Sequence, residues 1–379
     1  MYDEFIKSTQ LKFNSERIQW VKETIMLGIS VFLGEDLSNE TKAFIREMNE
    51  NGFTGVFSSL HIPEDDVKQY LQRLEDLGSF TKKLGMDLMV DISGAALSKI
   101  GLSFKRPSEI LATGITGLRM DYAIENKIMA ELSQHMKVAL NASTITKKDV
   151  AELQEFNANF DNMEAWHNYY PRPETGLGKE VFVAKNQWLK ELGFRVMAFV
   201  SGNKKLRGPL FSGLPTLEKH RFSNPLSGMI ELKEECYVDD VYLGDPEINS
   251  ETMNQFNLYQ SEKRILLHAI PTESKSYLEL IEGDHQNRFD PARDAIRSAD
   301  ARFKKIKKVE AQQTVPRKIG SVTIDNQDYG RYMGEIQISL VDLPSDEKVN
   351  VVAGVVPADI DLLKQCSQAG QLFRIQIQS

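Results

Sequence analysis

The chain has 379 residues, 41% of them hydrophobic and 26% charged, which is too apolar for intrinsic disorder and long enough for two domains. Its formal net charge is −8, so it lacks the broad basic surface that neutralises a nucleic-acid backbone or an anionic membrane. Cys236 and Cys366 stand far apart and outside any CxxC or metal-ligand spacing, as expected of packing residues in a reducing, cytoplasmic compartment.

Residues 1–24 alternate charged and apolar groups, lack the unbroken apolar core of a secretory signal, and read as an extension before the first strand. From residue 26 onward, short β-like runs alternate with longer amphipathic stretches, the signature of parallel strands joined by crossover helices. Strands are predicted at 26–32, 54–58, 87–91, 117–121, 138–141, 162–167, 195–200 and 238–244. Helices are predicted at 38–51 with Ser38 as N-cap, at 63–84 with Pro63 in the first turn, and at 147–156. Eight β/α units in roughly 240 residues favour a closed (β/α)8 barrel of the TIM type over an open sheet, here spanning 25–262.

After Glu262 the pattern changes to period two. Strands are expected at 264–270, 276–281, 321–324, 334–340, 349–355 and 372–377, with a short helix at 360–366, forming a small β-rich barrel domain over 263–379. The basic run 304–308 reads as solvated surface.

Active sites of such barrels sit at the C-terminal ends of the strands. Those positions hold Asp91, Arg119, Asp121, Asn141, Glu164, His167 and Asp245. Side chains alternate along a strand, so Arg119 and Asp121 share a face, and an inward Arg beside that Asp would hold it ionised. Strand-terminal Asp and Asn also cap helices or bond loop amides, but several acids converging on one mouth need a use. Paired carboxylates suit glycosidic bond hydrolysis, one protonating the leaving oxygen while the other acts as nucleophile or base. Asp121 and Glu164 are the expected catalytic pair, with Glu164 the acid, His167 in the same catalytic set and Asp91 the reserve carboxylate.

The loop after the sixth strand, WHNYYPRPETGLG, combines aromatic rings with Asn168, Tyr170, Arg172 and Thr175, a composition suited to binding a pyranose. The loop after the seventh, SGNKKLRGPLFSGLPTLEKHR, gathers Arg207, His220 and Arg221 in an acidic protein. Loops in this position bind phosphate in many barrels, through backbone N–H groups and nearby cations. Further along, Arg288 and Arg331 lie in polar clusters that read either as salt-bridged surface or as a contribution to a site at the domain junction. Walker, GxGxxG, HExxH and GxSxG motifs are missing, so neither a metal nor a nucleotide cofactor is predicted.

The runs ALNAST, EAWHNYYPRPETGL, RGPLFSGLPTLEKHR, DHQNRFDPARDAIRS and YGRYMGEI together resemble the bacterial MupG family of 6-phospho-N-acetylmuramidases, over nearly the whole chain from Met26. That resemblance implies a cytoplasmic exo-glycosidase, a barrel followed by a cyclophilin-like domain. It also implies as substrate a phosphorylated amino-sugar disaccharide, N-acetylmuramic acid 6-phosphate joined to N-acetylglucosamine, derived from the cell wall. The alternatives on the same barrel are a non-catalytic phosphosugar-binding regulator and a phosphosugar lyase or isomerase. The oligomeric state is left open.

Overall fold

The computed structural model describes residues 26–60, 67–301 and 308–378. The predicted N-terminal extension, the Pro63 helix start and most of the 304–308 basic run lie outside the described residues.

Eight parallel strands close into a barrel in chain order. They are β1 (Leu27–Ser30), β2 (Phe53–Ser59), β3 (Asp87–Ile92), β4 (Gly117–Met120), β5 (Lys137–Asn141), β6 (Met163–Trp166), β7 (Arg195–Val200) and β8 (Asp240–Leu243). Each falls where the sequence places a strand. The returning helices start where local chemistry provides caps: Ser38 accepts the Thr41 N–H at 3.1 Å, and Thr146 and Asp149 form a capping box. Asn224 caps Pro225–Glu235, with Pro225 at its first position.

Strand alternation sends one set of side chains inward and the other under the helices. The inward set, Phe57, Met89, Ala139, Trp166, Met197, Phe199 and Tyr242, packs as a separate cluster that fills the barrel. Gly28 and Gly55 are required here, because a Cβ on either would lie 2.0 Å from Tyr242. The first residues of several strands close the opposite end with ion pairs, Lys137 to Asp87 at 2.8 Å and Arg195 to Asp240 at 2.7 Å. A filled, ionically closed base leaves the C-terminal mouth as the place for chemistry.

The helix Ser250–Glu262 ends the barrel, and β9 (Arg264–Pro271) opens a seven-stranded mixed sheet. The other strands are β10 (Gly283–Gln286), β11 (Ala295–Arg297), β12 (Ser321–Asp325), β13 (Ile336–Ser339), β14 (Val349–Val355) and β15 (Leu372–Ile377). The order is β10-β15-β9-β14-β12-β13-β11, and a bridge from Asn287 to Ser298 links its two edges, giving the expected small β-rich barrel. The strand expected at 276–281 is instead a turn and the short helix Leu278–Ile281, while β10 and β11 carry too few apolar residues to show alternation. The sheet domain meets the barrel through residues 357–366: Asp359 accepts from Gln255 at 2.7 Å and from His268, and Lys364 pairs with Glu235 at 2.7 Å.

Candidate active site

At the barrel mouth, β3 and β4 run in register with Asp91 beside Arg119, and both point upward from the packed interior. Arg119 is 3% exposed and Asp91 6%. Arg119 Nη1 lies 2.5 Å from Asp91 Oδ1 and 3.5 Å from Asp121 Oδ1, so the nearest partner of this Arg is the acid on the adjacent strand. Its Nη2 donates to Asn168 Oδ1. Asn141, closing β5, donates to Asp121 Oδ1 at 3.0 Å, and its own Oδ1 accepts from Ser143 N–H at 3.1 Å. Ser59 donates to Asp91 Oδ2 at 3.4 Å. Two carboxylates, one guanidinium and two carboxamides from β3 to β6 thus converge, with Asp121 the more open acid at 24% side-chain exposure.

Glu164 does not belong to this group. It pairs across the sheet with Ala139 and with Arg195, the first residue of β7, and therefore faces the closed base of the barrel. Trp166 lies one inward step above it and donates to its carboxylate at 2.7 Å. Burial pushes the Glu164 pKa up, but at the base of the barrel, two inward steps below the mouth. β6 ends at Trp166, so the mouth position on this strand falls to Asn168 and not Glu164.

His167 takes the outward phase of the same alternation. It is fully buried between the barrel and the helix Lys179–Glu191, against the Phe182 ring, with Nε2 2.7 Å from Asn186 Oδ1. Desolvation lowers its pKa to about 4. Its Nδ1 is 3.4 Å from Ser143 Oγ, which in turn lies 3.3 Å from the Tyr170 hydroxyl. His167 and Tyr170 therefore support the mouth from behind. Trp166, read with the sugar-binding loop, is also enclosed in the barrel.

The basic loop after β7 is mostly neutralised internally. Arg221 is 3% exposed; it pairs with Glu218 at 2.6 Å and donates to the carbonyls of Tyr170, Arg172, Ser212 and Gly213. These bonds tie the loops after β6 and β7 together, and Arg221 holds Glu218 down at about 2. His220 meets Glu231 at 2.8 Å, and Lys204 meets Glu247 at 2.8 Å. Asp245, wholly buried, accepts the N–H groups of Gly202, Arg207 and Leu214, which makes it the organiser of the loop backbone. Burial raises its pKa, and those three bonds only partly offset the effect. The loop's own sequence holds Glu218, but not Glu231 or Glu247, which fold back onto His220 and Lys204 from outside it.

Arg207 differs. Its guanidinium stacks over Phe32, 3.7 Å from the ring centroid, and donates to the Tyr169 hydroxyl at 2.5 Å. Tyr169 is itself packed against Phe57 and Phe199. A half-buried cation held by two aromatic rings, with its backbone N–H on Asp245, is preorganised for an anion. Tyr169 belongs to the aromatic loop the sequence marked for sugar binding, but its grip on Arg207 was not legible there, and Phe32 reads as an ordinary strand residue.

The remaining candidates lie apart. Arg172 and Thr175 are exposed, the Thr175 hydroxyl bonding the Arg172 carbonyl at 2.6 Å. Arg288 pairs with Asp290 at 3.0 Å and Arg331 with the Tyr332 hydroxyl at 2.7 Å, partners within their own domain. Among the described residues, no group of three or more His, Cys, Asp or Glu side chains is arranged to hold a metal ion. No helix among them is long and apolar enough to cross a membrane.

The chain is 50% identical to a conserved Enterococcus faecalis protein of unknown function, whose crystal structure superposes with a TM-score of 0.87 over 93% of this chain and 97% of that one. An uncharacterised B. cereus protein, 23% identical, has the same fold, with a TM-score of 0.72 over 93% of this chain and 99% of that one. No curated protein matches. The family profile described as 6-phospho-N-acetylmuramidase, N-terminal, matches residues 27–258, and its C-terminal counterpart matches 264–376. With both halves matched in order, the chain belongs to the 6-phospho-N-acetylmuramidase (MupG) family.

Proposed function

We propose that this protein hydrolyses the bond joining N-acetylmuramic acid 6-phosphate to N-acetylglucosamine, in the cytoplasm, during recycling of cell-wall sugars. Family membership supports the reaction class. The observation that carries the reading is the Asp91, Arg119, Asp121 arrangement at the barrel mouth. In this reading the Arg119 charge is matched by Asp91, its nearer partner, so that Asp121, the acid open to the mouth, carries the proton given to the leaving oxygen as the glycosidic C–O bond breaks. Asp91, enclosed behind Arg119, stabilises the positive charge developing at the anomeric carbon. Water then supplies the hydroxyl, directly or after the sugar's acetamide has attacked, and its remaining proton passes to the Asp121 carboxylate, restoring the acid. Arg119, Asn141 and Asn168 hold both carboxylates in place, while Arg207 receives the phosphate.

The test is to incubate purified protein with the phosphorylated and unphosphorylated disaccharides and to weigh the products. Release of N-acetylglucosamine and N-acetylmuramic acid 6-phosphate from the phosphorylated substrate alone is the expected result. Loss of the lactyl ether with the disaccharide linkage intact would mean a lyase, and binding without turnover a regulator.

A further inference from the structure

A cleft of about 160 Å³ opens beside Asp121, between the loops that follow β4 and β5. Cavities of roughly this size accept a six-membered ring. Leu140 and Met129 contribute apolar surface to a mostly polar lining, and Tyr122, also part of it, is 63% exposed. Its polar wall includes the acceptors Asp121, Asp149 and Asn126. Asn126 gives its amide nitrogen to Asp149 at 3.1 Å and to Glu152 at 2.8 Å, which leaves its carbonyl oxygen available. Burial opposes the Asp149 charge, but bonds from Thr146 and Asn126 outweigh it and keep this carboxyl below the usual range. A rim of carboxylates repels a phosphate and suits the hydroxyl donors of an uncharged ring.

In a closed eight-stranded barrel, β4 and β5 lie across the mouth from β8 and β1. Arg207, stacked on Phe32 just after β1, therefore supplies positive charge on one side while Asp121 and Asp149 supply negative charge on the other. Taking the proposed reaction as given, we infer that the cleft beside Asp121 is the subsite for the departing, unphosphorylated sugar, and that charge opposition across the mouth decides which way round the substrate binds. Tyr122 stacks on that sugar, and Asp121 sits at the junction where its oxygen departs.

Two substrates separate this inference from the proposed reaction. One is the phosphorylated disaccharide; the other is the same phosphosugar as its glycosyl fluoride, whose leaving group needs no sugar subsite. Tyr122→Ala, and Thr144→Phe to narrow the cleft, should each lower the ratio of kcat/KM for disaccharide over fluoride by about tenfold. Each should also weaken inhibition by free N-acetylglucosamine to a similar degree. Equal effects on both substrates, with inhibition unchanged, would overturn the subsite. If the wild-type protein hydrolyses neither compound, the proposed reaction fails. Saturation-transfer NMR of N-acetylglucosamine on wild type and Tyr122→Ala then decides the subsite alone, since loss of the signal in the variant supports it and retention sinks it.

Discussion

Arg119 and Asp91 form an ion pair at 2.5 Å in which both side chains are almost completely withdrawn from water. Removing one partner of such a pair leaves an uncompensated buried charge, which costs about 3–5 kcal/mol. Arg119→Met should lower stability by that amount at pH 7 and abolish turnover. Denaturant melts check the first effect; a variant as stable as wild type would mean that water reaches Asp91.

Asp121→Asn and Glu164→Gln should give opposite results. Asp121 is part-exposed at the mouth and its Oδ1 can still accept from Asn141 after the change, so stability should hold while turnover falls by about 10²- to 10⁴-fold. Glu164 lies at the barrel base, where Gln can still accept from Trp166. Turnover in Glu164→Gln should stay near the wild-type value, and steady-state kinetics on the phosphorylated disaccharide would detect the reverse.

Arg207 and Arg221 are both basic loop residues, but their surroundings separate them. Losing one charge-assisted bond costs about 1.5–3 kcal/mol, so Arg207→Ala should reduce preference for phosphorylated over unphosphorylated substrate by roughly 10- to 100-fold. Arg221→Ala removes the bonds that join two loops and should lower the melting temperature while affecting both substrates alike. A change in phosphate preference in Arg221→Ala but not in Arg207→Ala would reverse the assignment.

His167 should make stability depend on pH. Its pKa falls from 6.5 to about 4 on folding, chiefly by burial, so between those values the unfolded chain binds a proton that the native state excludes. The stabilisation is complete above pH 6.5 and declines as the pH drops toward 4. His167→Gln should flatten the stability curve in that window. Urea melts of both proteins at pH 7 and 4.5 provide the comparison, and parallel losses would remove His167 as the cause.

Much of this fold was legible in the sequence because the relevant physics is local. Alternating β-runs and amphipathic stretches mark all eight barrel strands, Ser38 marks a helix start, and the position of Asp91, Arg119, Asp121 and Asn141 at strand ends puts them at the mouth. Sequence spacing could not say how far along a strand the barrel interior ends. Glu164, on β6, and Asn168, just past its end, share the inward phase, yet only the register against β5 and β7 puts the first at the base and the second beside Arg119. Nor could it say which cations remain available: Glu218 stands three residues before Arg221 in the same loop, but Glu231 reaches His220 from the next helix and Glu247 reaches Lys204 from beyond β8. Charge type and strand phase are properties of the chain itself. Depth in the barrel and ion pairing depend on the partners that closure brings within a few ångströms, so only the tertiary structure decides them.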